Sequence, residues 1–235
     1  MNKEDLIVLH EDNHVIVVFK PQNVPCCEDQ TGDTDLLTVI KDYIKEKENK
    51  AGNVYVGLVH RLDRVTGGVM VYAKSSKAAS RLSEQMREGG FEKKYLTVVV
   101  GSPKEKKATL CDYLKKNPVN NMVYVCPQTV EGAKYAELDY KTLQTAGGLT
   151  LVAVTLHTGR THQIRVQFSS RGTPVFGDMR YGGENAKKGK IALWAASLSF
   201  YHPVSKERLT FKIAPPEDDA PWNKFTIGDD ELVYI

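Results

Sequence analysis

An α+β fold, with a mixed and mostly antiparallel central sheet flanked by helices and loops, is predicted by three features of the sequence. Strand-like apolar runs dominate it. The helical periodicities are interspersed among them instead of alternating strictly, which disfavours a doubly wound parallel sheet. Gly, Pro and Asn turns separate several neighbouring strands.

Leu6–Leu9 and Val15–Phe19 flank "HEDNH" as a hairpin, which Lys20-Pro21 ends because proline removes a ladder donor. Leu36, Leu37, Val39, Ile40 and Ile44 recur at the spacing of one helical face, predicting a helix from Leu36 to Glu46. Val54–Val59 and Val69–Tyr72 read as strands on either side of a charged loop. From Ser76 to Glu88, Ala78, Leu82 and Met86 stand four apart, and Gly89-Gly90 stops that helix. "KKYLTVVVG", Ala108–Val125, Lys134–Leu143 and Leu149–Leu156 read as strands and turns. Thr161 is placed to cap a helix running to about Ser170, with Gly172 beyond its end. Ile191–Phe200 and Arg208–Ile213 make a late strand pair. No internal repeat, low-complexity segment or linker interrupts the chain, which reads as one domain of two lobes over 1–235.

With 235 residues, 41% hydrophobic and 26% charged, the composition is that of a soluble globular protein and excludes a disordered one. No apolar stretch approaches the roughly 20 residues of a membrane span. The N-terminus carries acids where a signal peptide needs a long apolar region, so a cytoplasmic location, without membrane association, is expected. Cys26, Cys27, Cys111 and Cys126 lack the spacing of a zinc knuckle or redox pair and read as reduced structural thiols.

The net charge of +3 conceals an uneven distribution. Six acids against Lys224 give Ala214–Ile235 a charge of −5, with an acidic tail at about 217–235, and leave +8 on the remainder. Between Thr155 and Lys190, seven cations face only Asp178 and Glu184. Such a segment fits either a polyanionic partner or a solvated loop.

Three stretches set unusual polar groups beside apolar strands: "HRLDRVTGG", "EKKYL" and "LHTGRTHQIR". In the third, His162 and Arg165 are three apart, so a helix would turn both toward a cleft while Ile164 and Phe168 pack. A metal site on His157 and His162 is disfavoured by Arg160 and Arg165, which would repel a cation. Asp63, on a loop between two apolar strands and flanked by Arg61 and Arg64, reads as a carboxylate presented by a rigid scaffold and kept ionised by its neighbours.

"GLVHRLDRVTGGVMVYAKS", "FEKKYLTVVVG", "LHTGRTHQIRVQFSSRGTPVFGDMRYGG" and "ALWAASLSFYHPVSKERLTFKIAPP", in this order, resemble the RluA-type RNA pseudouridine synthases, as does the opening "LHEDNHVIVVFKPQNVP". The resemblance covers roughly residues 6 to 216. It implies the pseudouridine synthase fold with a central active-site cleft, and isomerisation of uridine in structured ribosomal or transfer RNA without metal or small-molecule cofactor. It also implies roles. Asp63 falls on the catalytic aspartate, Tyr95 on the tyrosine that lies against the target base, and Arg165 on the basic residue paired with the aspartate. Arg61 falls on the arginine that fills the space of the flipped nucleotide in some members. His60, Arg64, Arg160, His162, Lys187, Lys188 and Lys190 are the further candidate RNA contacts, and a monomer is expected.

Two departures stand out. Gly67 replaces a usual serine and is expected to loosen the catalytic loop, and "QNVPCCED" replaces a Gly-rich stretch. With no room before the hairpin for a small S4-type RNA-binding domain, substrate choice is expected to rest on the catalytic domain, the 155–190 segment and the Lys104–Lys107 loop. A glycosidase-like hydrolase would want a second carboxylate beside Asp63, and a non-catalytic RNA-binding module would need neither Asp63 nor Tyr95.

Overall fold

A computed structural model describes residues 1–228 and divides the chain into two compact units: Met1–Glu92 with Ser197–Ile213, and Lys93–Ala196 with Ala214 onward.

The first unit begins with the expected hairpin, β1 (Val8–Glu11) and β2 (Val15–Lys20), closed by Asp12, whose side chain accepts the N–H groups of His14 and Val15. β2 pairs along its whole length with β4 (Gly67–Ala73), and β3 (Gly57–Leu58) adds two residues at Ala73 and Tyr72. Alternation then sends Val15, Val17, Val69, Val71 and Ala73 to one face. There they pack with Ala78 and Leu82 of helix α2 (Ser76–Arg87) and with Phe91, Leu198 and Phe200. Ser75 caps α2 by accepting the Ala78 N–H. Ile16, Val18, Met70 and Tyr72 on the opposite face are fully buried too. Helix α1 (Leu36–Lys47) is capped by Asp35, which accepts from Thr38, and buries Leu36, Val39, Ile40 and Ile44. The expected strand at Val54–Val59 shrinks to Gly57–Leu58, because β4 offers it only Ala73 and Tyr72.

In the second unit β5 (Glu92–Val100) pairs with β9 (Leu149–Leu156), β9 with β8 (Lys134–Ala146), β8 with β6 (Lys107–Lys116), and β6 with β7 (Val123–Cys126). Helix α3 (Gln163–Ser169) lays Val166 against Leu114, Val123 and Ala136, and Phe168 meets Tyr140 edge-on at 5.4 Å. β10 (Leu193–Tyr201) gives its first four residues to the second unit and its last five to the first, where it pairs with β11 (Arg208–Lys212). The pairings of β1 with β2, β2 and β3 with β4, and β10 with β11 in the first unit, and of β5 with β9, β9 with β8, β8 with β6 and β6 with β7 in the second, are antiparallel.

Two expectations change at α3. Its cap residue is His162, not Thr161, and it stands at φ 54°. Every residue from Gln163 to Phe168 is buried, so the helix has no open polar face. In the acidic segment, as far as it is described, Trp222 and Ile227 are buried and Lys190 pairs with Asp219 at 2.8 Å. Asp229, Asp230 and Glu231 lie outside the described residues.

Candidate functional site

Asp63 lies half-buried on the loop between β3 and β4, and other parts of the first unit grip that loop by its main chain. The Lys20 ammonium, fully buried at the end of β2, donates to the carbonyls of Arg64 (3.0 Å) and Pro21 (2.9 Å). The Asn23 N–H adds a second bond to the Arg64 carbonyl at 2.8 Å, and Gln22 Nε2 donates to Val65 O at 3.0 Å. Cys26 Sγ donates to Leu62 O at 3.2 Å, and the Thr66 N–H closes a turn on Asp63 O at 2.9 Å. Burial pushes the Lys20 ammonium down to about 8, and the Asp63 charge works against that shift. Burial likewise pushes the Cys26 thiol up.

The side chain of Arg64 fastens the departing stretch after Pro21. Its Nε donates to Asn23 O at 3.1 Å, its Nη1 to Thr31 Oγ1 at 2.8 Å, and its Nη2 pairs with Asp33. The residues replacing a Gly-rich stretch are thus an internal brace for the Asp63 loop. With glycine at 67, the loop is nonetheless held by its main chain at several points. Gly67 takes no positive φ, whereas Gly68 stands at φ 133°, where a side chain would be strained. His60 Nε2 accepts the Val71 N–H at 3.1 Å, which places the proton of the neutral ring on Nδ1, and Arg61 is exposed.

In the second unit Tyr95 sits on β5 opposite Val154 and is 8% exposed. Arg165 is 6% exposed and is held side-on by Asp178, Nε to Oδ2 at 2.7 Å and Nη2 to Oδ1 at 2.9 Å. Asp178, 1% exposed, also accepts the N–H groups of Arg180 and Tyr181. The guanidinium carbon lies 5.1 Å from the Tyr181 ring centroid, and the Tyr181 hydroxyl meets His162 Nδ1 at 2.7 Å. Burial pushes the Tyr181 phenol up. Asp178 occupies the Nε–Nη2 edge, so a second anion would be met end-on through Nη1.

The loop from His157 to Gln163 is organised around one carbonyl, Glu137 O, which accepts from the N–H groups of His157 and Thr158 and from Gln163 Nε2. Gln163 Oε1 accepts the Arg160 N–H at 3.0 Å, and Arg160 Nε donates to Tyr135 O at 2.7 Å. His157 bonds Asp139 at 2.8 Å. Among the described residues no group of three or more His, Cys, Asp or Glu side chains is arranged to hold a metal.

His60, Arg61, Asp63 and Arg64 therefore share one braced loop, while Arg160, His162 and Arg165 gather around the start of α3. Lys187, Lys188 and Lys190 are exposed apart from them. Arg165 and Arg171 are neutralised internally, Arg171 by Asp112 at 2.9 Å, so the outward charge of the basic segment is smaller than its composition indicates. The sequence reading missed Lys20, Asp178 and Tyr181. A lone acid among cations after the apolar "PVF" was the available signal for Asp178.

A family model described as RNA pseudouridylate synthase matches residues 14–170. YjbO of Bacillus subtilis (strain 168), described as an uncharacterized RNA pseudouridine synthase, is 34% identical over 216 residues, covering 91% of this chain and 74% of its own length. The Escherichia coli O157:H7 protein named ribosomal large subunit pseudouridine synthase C is 32% identical, covering 91% of this chain and 67% of its own. The solved structure of human RNA pseudouridylate synthase domain containing 4 shares the fold at a TM-score of 0.75 with 22% identity, covering 89% of this chain and 88% of that one.

Proposed function

We propose a substrate and a division of labour for this chain, which belongs to the RNA pseudouridylate synthase family and is, with that family, an RNA-modifying isomerase. The substrate is a uridine of large-subunit ribosomal RNA, a choice supported by the relatives named for that RNA; transfer RNA is the second reading. The reaction breaks N1–C1′, turns the uracil and joins C5 to C1′; the C5 proton leaves and N1 gains one, so no redox partner is needed.

Asp63 is the reacting carboxylate, either attacking C1′ or taking the C2′ proton, and both routes need it ionised. The observation that carries this assignment is the loop itself: a half-buried carboxylate on a main chain braced by Lys20, Gln22, Asn23 and Cys26, inside the matched region. Rigid support of that kind suits a group that must meet one atom. Tyr95 lies against the target base, and Arg165, oriented by Asp178, serves as the basic partner of the carboxylate. Arg61, exposed beside Asp63, takes the place of the extruded nucleotide, since a stacked base must leave its stack to be reached. Arg64, His60, Arg160, His162, Lys187, Lys188 and Lys190 contribute contacts or positive potential for RNA. The protein acts as a monomer in the cytoplasm, where its RNA resides.

Pseudouridine mapping across ribosomal and transfer RNA, in cells with and without the gene, tests the substrate. Loss of a large-subunit ribosomal site is expected. Loss confined to transfer RNA would replace the first reading with the second.

A further inference from the structure

Lys93 is a half-buried cation, and among the described residues no hydrogen-bond or ion-pair partner serves it. On β5 it stands opposite Leu156, which pairs with Leu138, which pairs with Leu110, so it ends an apolar row of three leucines. Alternation along the strand puts it on the same face as Tyr95, about 6.6 Å further along. Burial, then the charge of Arg160, pushes the ammonium below its ordinary range, and no acid pulls it back.

The opening above this ammonium is Gly159. That residue is exposed, and a Cβ built on it would come within 3.3 Å of Lys93 Nζ. The Gly159 N–H donates to nothing among the described residues. Next to it the Arg160 main chain is fixed by Gln163 and its Nε by Tyr135 O, so the guanidinium is held in place, and among the described residues its Nη groups engage no partner. Two cations and an unused main-chain donor thus lie close to one glycine, on a loop held by Glu137 O, and among the described residues no carboxylate pairs with either cation. An unpaired, desolvated cation is costly unless an anion completes the site.

We propose that Lys93, the Gly159 N–H and Arg160 form a binding site for one RNA phosphodiester, that of the target nucleotide or its immediate neighbour. The nucleotide assignment rests on the reading of Tyr95 given above; the anion site does not. Glycine at 159 keeps the opening over Lys93 clear, since a side chain there would crowd the ammonium.

Lys93→Met keeps the length and removes the charge. It should fold at least as well as wild type by thermal denaturation. RNA affinity should fall about tenfold, and the log–log salt dependence should become shallower by about 0.7, the value for one phosphate on a single strand. Gly159→Ala, which keeps both charges, should produce the same affinity loss, and Lys93→Arg should restore part of it. Substrate strands carrying one neutral methylphosphonate at a time locate the partner. One position, at or next to the target uridine, should weaken wild type about tenfold and Lys93→Met no further. An unchanged salt slope in Lys93→Met, or equal losses for both proteins at every position, would overturn the site. If millimolar inorganic phosphate raised the melting temperature of wild type but not of Lys93→Met while no methylphosphonate position mattered, the site would be one for free phosphate and the RNA assignment would fall. Pseudouridine formation by wild type in the same strands is scored separately, so failure of the site and failure of the functional reading are told apart.

Discussion

Replacing Lys20 with methionine separates the support of the Asp63 loop from the stability of the fold. The lowering of Lys20 from 10.5 to about 8 corresponds to about 3.4 kcal/mol spent on burying the ammonium, a term that methionine removes. Against it stand two hydrogen bonds from a charged donor, to Pro21 O and Arg64 O, worth roughly 1.5–3 kcal/mol each. The difference between these terms is at most about 2.6 kcal/mol, so Lys20→Met should move stability by no more than that, a Tm change within roughly 10 °C for a chain of this size. Turnover should respond far more. The lost bond to Arg64 O adjoins Asp63, and a displacement of about 1 Å at a reacting group costs on the order of a hundredfold. Single-turnover pseudouridine formation, filter binding of RNA and thermal denaturation on one preparation supply the three readings: rate down about a hundredfold, affinity and Tm little changed. Stability as a function of pH gives an independent check. With its folded pKa below the unfolded value, Lys20 leaves the unfolded chain holding more protons between pH 8 and 10.5. Wild type should therefore gain stability over Lys20→Met as pH rises through that window, and lose the gain as pH falls through 8. A pH-independent difference, or a Tm collapse with an unchanged rate per folded molecule, would refute the reasoning.

Asp178→Asn should cost about 3–5 kcal/mol of stability, read by denaturant unfolding, because it leaves the buried Arg165 guanidinium without its side-on carboxylate. Arg61→Ala should slow turnover more on folded RNA than on a short unstructured strand, where less unstacking is needed; equal losses in the two rates would remove Arg61 from the extrusion step. Charge reversal at Lys187, Lys188 and Lys190 together should flatten the salt dependence of RNA binding, whereas an unchanged slope would move the RNA surface elsewhere. Lys190 should contribute least of the three, since Asp219 already pairs with it.

Local pattern was most legible where one physical rule dominated. α1 and α2 start where the periodicity puts them and end within one residue of expectation, because apolar spacing, the Asp35 and Ser75 caps and Gly89-Gly90 all agree. α3 misled the reading because the three-residue spacing of His162 and Arg165 implied an open face. The short helix is instead buried on all sides, with Gln163 and Gln167 directed at main-chain carbonyls and Arg165 at Asp178. The bracing role of Arg64 was not legible, because its partners Thr31 and Asp33 lie more than thirty residues away and no local pattern reveals them. Lys20 was hidden for a related reason: a lysine before proline reads as a strand end, and its burial depends on the packing of β2 against β4. Asp63 itself was legible because a charged loop between two apolar strands is conspicuous in one dimension.

The assignment of Asp63 is tested most directly by following tritium from C5 of uracil in substrate RNA, with wild type and Asp63→Asn side by side. Asparagine keeps the shape of the side chain but cannot ionise. Wild type should release tritium to water as C5 forms its bond to C1′. Asp63→Asn should release none while binding RNA within about tenfold of wild type, or 1.4 kcal/mol. Tritium release that survives the substitution, or free uracil from the wild-type enzyme, would contradict the role given to Asp63.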